Sequence, residues 1–172
     1  MTTGAVVLCG LVLLVSAVSK VRSANDYAEF VASVPAFEIP ARWTRLFAVL
    51  TVVAEFGISG LLLASLIAGY WVAVAGLVLA AGMFAVLTAV VWRAVSRRSG
   101  AVCRCFGRAR TTLTHRHTAR NAFLLAVAVL GLSAVDNAFD PAVAGLAAAV
   151  GVIGAVLVVR FDDLADLVAG PV

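Results

Sequence analysis

The sequence predicts an all-α, polytopic bundle of membrane-spanning helices, and three observations lead there. Of 172 residues, 63% are hydrophobic and only 13% charged, where a soluble domain carries about a quarter charged. The mean hydropathy is +1.09. Charge-free stretches are long enough for four to five crossings at about 20 apolar residues each, with short connections between them. This balance excludes ordinary soluble enzymes, and the length allows a single integral membrane domain over 1–172. A net charge of +4 would point to nucleic acid in a soluble chain. In a membrane chain Lys and Arg report orientation first, so the expected partner is the lipid bilayer and no nucleic acid.

The spans follow from the gaps between charges. Thr2 to Ser19 is uncharged, and Leu46 to Trp92 carries only Glu55. The latter stretch is too long for one crossing. Gly69, Tyr70 and Trp71 supply a flexible residue and two interfacial aromatics in its middle, which divides it into two helices. Asn121 to Val135 and Pro141 to Val159 are also free of charge. The candidate spans are therefore about 2–19, 46–68, 70–92, 119–136 and 141–159. The fourth is the weakest, because its apolar run falls short of about 17 residues. A short interfacial helix is expected in the first connection: Tyr27, Phe30, Val31 and Val34 share one face, Asp26 and Glu29 the other, and Ser23 is placed to cap. Pro35 ends that helix and Pro40 keeps it from running into the next span. Phe161 to Val168 reads as a shorter version of the same design.

All 13 basic side chains fall in alternate connections. Lys20, Arg22, Arg42 and Arg45 lie in the first, Arg93, Arg97, Arg98, Arg104, Arg108, Arg110, Arg116 and Arg120 in or beside the third, and Arg160 follows the last span. The positive-inside rule then predicts a multi-pass protein of the cell membrane with its amino terminus outside. The Arg-rich third connection and the carboxyl tail are expected in the cytoplasm. The first segment has neither a basic leader nor a small-residue cleavage site, so it is expected to stay as a helix. Cys9 within it reads as a small buried hydrophobe. Gly57, Ser59, Gly60 and Ala64, then Gly76 and Ala80, then Gly145, Ala149, Gly151 and Ala155 supply small residues for close helix packing.

Glu55 is the ionisable residue deepest in a span. If its helix starts near Thr44, a rise of about 1.5 Å per residue buries it about 16 Å deep. A carboxyl there is either protonated or paired, with a hydroxyl of Ser16, Thr51 or Ser59 or with a cation reaching inward. Two roles stay open: a proton relay or anchor for a polar headgroup such as a quinone, and a tie between helices. No cofactor is required by the sequence.

Cys103-Arg104-Cys105-Phe106-Gly107 is the second candidate. Two cysteines one residue apart close only a small, strained ring, which makes a labile dithiol and not a structural staple. Arg104 between them and Arg108 nearby favour the thiolate. A metal site competes for the same residues, since Cys103, Cys105, His115 and His117 are four soft or borderline ligands, although their spacing is not that of a zinc finger. A third reading leaves the cysteines idle and the histidines solvated in a basic loop.

Taken in order, Ser19-Lys20, Phe30, Pro40, Ala54-Glu55-x-Gly57, Phe84, Arg93, Cys103-x-Cys105-Phe106-Gly107 and Arg120-Asn121 resemble the methylamine utilisation protein MauE family, of the MauE/DoxX group of redox-associated membrane proteins. The resemblance spans roughly 5–135. It implies a membrane protein that supports thiol/disulfide redox or maturation of an exported partner beside a thioredoxin-like protein, in methylamine metabolism. By the same resemblance Cys103 and Cys105 are the redox pair, with Arg104 tuning them where the family usually has Gly. Glu55 and Lys20 also match family positions. Cysteines on the cytoplasmic side fit a relay that takes electrons from cytoplasmic thiols. The alternatives are a non-catalytic scaffold or assembly factor presenting its basic connection, and a small-molecule carrier, for a quinone or solute, centred on Glu55.

Overall fold

In the computed structural model, which describes residues 2–97, 115–134 and 141–161, the described elements are all helices. They are α1 (Thr2–Val21), α2 (Ala24–Ser33), α3 (Thr44–Ala68), α4 (Tyr70–Ser96), α5 (His115–Ser133) and α6 (Pro141–Val159), with single 3-10 turns at Val34–Phe37 and Ala41–Trp43. Cys103, Arg104, Cys105 and the tail beyond Phe161 lie outside the described residues. The break after Ala68 falls at Gly69, whose φ of 93° places it in the left-handed region that a side chain disfavours. This is where the sequence divides its longest apolar run.

Among the described residues, four helical stretches are long and apolar enough to cross a membrane: Thr2–Val21, Ala41–Ala68, Tyr70–Ser96 and Ala142–Val159. The chain is thus an all-α, multi-pass membrane protein. α5 falls below that measure, because its first two turns carry His115, Arg116, His117, Arg120 and Asn121. It is held instead by its neighbours, packing along α4 and against α1. Its buried residues His117, Asn121, Leu124, Ala128 and Gly131 recur at three- and four-residue steps, the spacing of one helical face.

α1 is the axis of the bundle. It packs against α3, α5 and α6, and Cys9, Val12, Leu13 and Ala17 on it are almost completely buried. Leu62 of α3, Leu77 and Phe84 of α4 and Leu124 of α5 complete the core. The outward faces remain apolar, with Leu50, Val53, Ile67, Leu130, Leu146 and Ile153 among the exposed residues. A helix that is apolar on all sides suits lipid outside and packing inside.

Small residues set the closest approach. A Cβ on Gly151 of α6 would stand 2.6 Å from the Gly4 carbonyl oxygen of α1, and one on Gly4 would stand 2.9 Å from that of Ala147. The two helices therefore meet backbone to backbone, running in the same direction. Ser59, Gly76, Ala80 and Ala155 are also buried. Gly57, Gly60 and Gly145, by contrast, have open space where a Cβ would go, and Ala64 and Ala149 are exposed. The expectation that every small residue serves packing inside the bundle is corrected here. On α3 the outward set points away from the core because Ile58, Ser59 and Leu62 already fill its inner face.

Candidate functional site

Ser16 and Lys20 lie one helical turn apart on α1, and Glu55 faces them from α3. The two helices are antiparallel, and side chains on a helix lean toward its own amino terminus. Lys20, near the end of α1, therefore leans deeper into the bundle, while Glu55 leans back toward the start of α3. They meet midway. Lys20 Nζ donates to both carboxylate oxygens of Glu55 at 2.8 Å, to Ser16 Oγ at 2.6 Å and to the Ser16 carbonyl at 3.3 Å. Ser16 Oγ in turn donates to Glu55 Oε1 at 3.0 Å. Lys20 is 3% and Glu55 1% exposed, so the pair is dry.

Pairing is what makes this burial tolerable. An isolated charge in a membrane interior costs several kcal/mol, and a buried ion pair survives when remaining lone pairs and protons are also satisfied. Here the carboxylate takes three hydrogen bonds, and the ammonium finds oxygen on every available side. Of the hydroxyls expected to serve Glu55, the structure selects Ser16. Thr51 Oγ1 donates instead to the Phe47 carbonyl and Ser59 Oγ to that of Phe56. The inward-reaching cation is Lys20, which charge counting assigns to the first connection.

α2 roofs the pair. Ser23 caps it by accepting from the Asp26 amide at 3.0 Å, and its apolar face brings the Phe30 ring to 5.3 Å from Lys20 Nζ. An ammonium over a ring face is attracted by the quadrupole of the ring. The segment that follows is fastened to α4. Glu38 Oε2 accepts from Arg93 Nε at 3.3 Å and Glu38 Oε1 accepts from Arg97. Glu38 has a φ of 63°, left-handed in a residue with a side chain, and it ends the 3-10 turn through its amide hydrogen bond to the Pro35 carbonyl at 3.0 Å.

Cys103, Arg104 and Cys105 lie outside the described residues, while His115 and His117 open α5. Arg97, at the end of α4, and His115, opening α5, flank the segment that carries Cys103 and Cys105. His115 approaches Trp92 edge-on at 6.0 Å between ring centres. It is exposed whereas His117 is buried, as expected for residues two apart on a helix, which do not share a face. No group of three metal-binding side chains occurs among the described residues. Cys9 is fully buried in the core of α1.

Sequence reasoning passed over a buried polar cluster on α5, formed by His117, Thr118, Arg120 and Asn121. From the sequence, Arg120 enters only as an orientation charge and, with Asn121, as a match to the family pattern, and His117 only as a metal candidate. The signal was available in the helical continuity of these residues with Leu124 and Ala128. No curated protein and no solved structure matches the chain. The order of Lys20, Glu55 and Gly57 along α1 and α3, the buried Phe84 of α4 and the buried Arg120-Asn121 pair of α5 accords with a match over residues 1–134, by which the chain belongs to the methylamine utilisation protein MauE family.

Proposed function

We propose that this MauE-family membrane protein supports maturation of a partner protein by thiol/disulfide exchange at Cys103 and Cys105, with Arg104 favouring the thiolate. The observation that carries the reading is the Cys103-Arg104-Cys105-Phe106-Gly107 run between α4 and α5 in a chain of this family. In the forward step the thiolate of one cysteine attacks a disulfide of a thioredoxin-like partner. The mixed disulfide is then displaced by the second cysteine. Two electrons and two protons pass to the partner, which leaves as a dithiol, while the pair on this chain becomes a disulfide. The pair is reset when cytoplasmic thiols reduce its disulfide by the same exchange and are themselves oxidised to a disulfide. The bias of Lys and Arg supports a cytoplasmic position for the pair and an outside amino terminus.

In this reading Glu55 and Lys20 serve to hold α1, α2 and α3 together. The carboxylate is engaged by Lys20 and Ser16, which favours positioning over carriage of a quinone or solute. The test is differential alkylation in intact cells with permeant and impermeant maleimides. Cys103 and Cys105 are expected to react with the permeant reagent alone, and only after reduction in a fraction of molecules, with Cys9 silent throughout. Replacing both by Ser is expected to abolish partner maturation. Unchanged maturation and thiol balance in that variant would sink the redox reading.

A further inference from the structure

Lys20 is the single lysine of the sequence, and every other member of the 13 Lys and Arg residues is arginine. The choice matters at this position. A guanidinium holds a carboxylate by two parallel bonds and is weakly hydrated, whereas an ammonium is a compact charge that water holds strongly. The tie between Lys20 and Glu55 therefore depends on a dry cover. That cover is α2, the most lightly held of the described α-helices, since it alone has no buried residue. Arg22 and Ser23, both exposed, join it to α1. Its closing contacts are Phe30, over the Lys20 ammonium, and Val34, which is 5% exposed but stands apart from the main core. Beyond them Glu38 pairs with Arg93 and Arg97 of α4 through side chains that are half or more exposed.

We propose that α2 and the 3-10 turn after it form a lid over the Lys20–Glu55 pair, hinged at Arg22 and Ser23 and latched by Glu38 to Arg93 and Arg97. With the lid closed, Phe30 and Val34 keep water from the ammonium. When it lifts, water competes with Glu55 and Ser16 for Lys20, and the tie between α1 and α3 weakens. Salt acts on the two sets of ion pairs unequally. The exposed pairs of Glu38 are screened over a distance that falls from about 8 Å at 0.15 M to about 3 Å at 1 M, while a buried pair is screened much less. Ionic strength thus acts on the latch before it acts on the pair. The lid operates whether or not Cys103 and Cys105 exchange disulfides.

A single lysine reports its own cover. The test is acylation of the full chain in nanodiscs by sulfosuccinimidyl acetate, followed at Lys20 by peptide mass spectrometry, with an unstructured lysine peptide in the same tube as reference. Lys20 is expected to react at least about tenfold more slowly than the reference, as a group reached through local opening does. Relative to the reference, its rate is expected to rise by about 1.5- to fivefold between low and high salt, the range that exposed ion pairs carry. Glu38→Gln is expected to react at the high-salt rate already in low salt and to lose the salt dependence. Its amide exchange is expected to quicken over 24–37 and to stay unchanged around Leu62 and Leu77. Arg93→Gln combined with Arg97→Gln opens the latch from its other side and is expected to give the same result. Equal salt dependence in the parent and both latch variants overturns the proposal. So does a Lys20 rate equal to that of the reference, or one that matches the exchange of the core amides in every variant, since α2 would then be no cover or a fixed one.

Discussion

Lys20 and Glu55 approach each other from opposite directions along antiparallel helices and meet at 2.8 Å in a site closed to solvent. A lysine near the end of a span ordinarily extends outward, taking its ammonium to the interface. Lys20 turns inward because Ser16, one turn below on the same face, offers both its hydroxyl and its carbonyl, and Glu55 supplies the counter-charge. The pair thereby joins the axial helix to α3 and, through Phe30, to the interfacial helix.

Removing one partner leaves the other charge buried. Glu55→Gln and Lys20→Met are each expected to destabilise the protein by about 3–5 kcal/mol. The double change Lys20→Met with Glu55→Leu replaces the pair by apolar volume and is expected to recover most of that loss. Thermal unfolding in a mild detergent measures all three. If the double variant is as unstable as the sum of the singles, the pair is not the coupled unit described here.

Much of this was legible in advance. Four of the apolar runs, the short first-connection helix with its Ser23 cap and the break at Gly69 follow from periodicity and turn chemistry, which act locally. Glu55 stood out because a charge inside an apolar run is rare. The identity of its cation was not legible, since Lys20 sits at a position where outward and inward rotamers are equally open until α3 is placed. Burial of Arg120 was hidden for the same reason: an arginine beside a basic connection serves orientation equally well whether exposed or packed. Helix-to-helix register decides both, and register is a tertiary property.

Glycine positions divide into two sets with opposite expectations. Gly151→Ala puts a methyl group 2.6 Å from the Gly4 carbonyl oxygen, where backbone cannot yield cheaply, and is expected to cost about 1–3 kcal/mol. Gly57→Ala and Gly60→Ala meet nothing within 4 Å and are expected to be neutral or to stabilise by up to about 1 kcal/mol through helix propensity. Chemical denaturation in detergent separates the two sets. A large loss in the second set would reveal a second copy or partner helix packed on that face of α3.

Glu38 combines a strained backbone with two exposed ion pairs. Glu38→Ala removes the pairs with Arg93 and Arg97 while keeping a Cβ in the left-handed region, so it is expected to cost about 0.5–1.5 kcal/mol. Glu38→Gly also removes the pairs but relieves the backbone, and is expected to be close to the parent. The order Gly above Ala in melting temperature is the diagnostic result. Equal losses in both variants, well below the parent, would show that the ion pairs, and not the turn, hold the segment to α4.

Phe30 contributes to the site in two separable ways, as apolar cover and as a ring facing the Lys20 ammonium at 5.3 Å. Phe30→Leu keeps most of the cover and removes the ring. In the parent it is expected to cost its packing loss together with about 0.5–2 kcal/mol of cation–π attraction. In the Lys20→Met, Glu55→Leu background no ammonium remains, and the same substitution is expected to cost the packing loss alone. The difference between the two measurements is the coupling between α2 and the buried pair. Amide hydrogen exchange should follow it, with protection of Tyr27 to Val31 falling in the Phe30→Leu parent and much less in the apolar background. Equal costs in both backgrounds would mean that α2 rests on the bundle through its apolar face alone, independent of the charge beneath it.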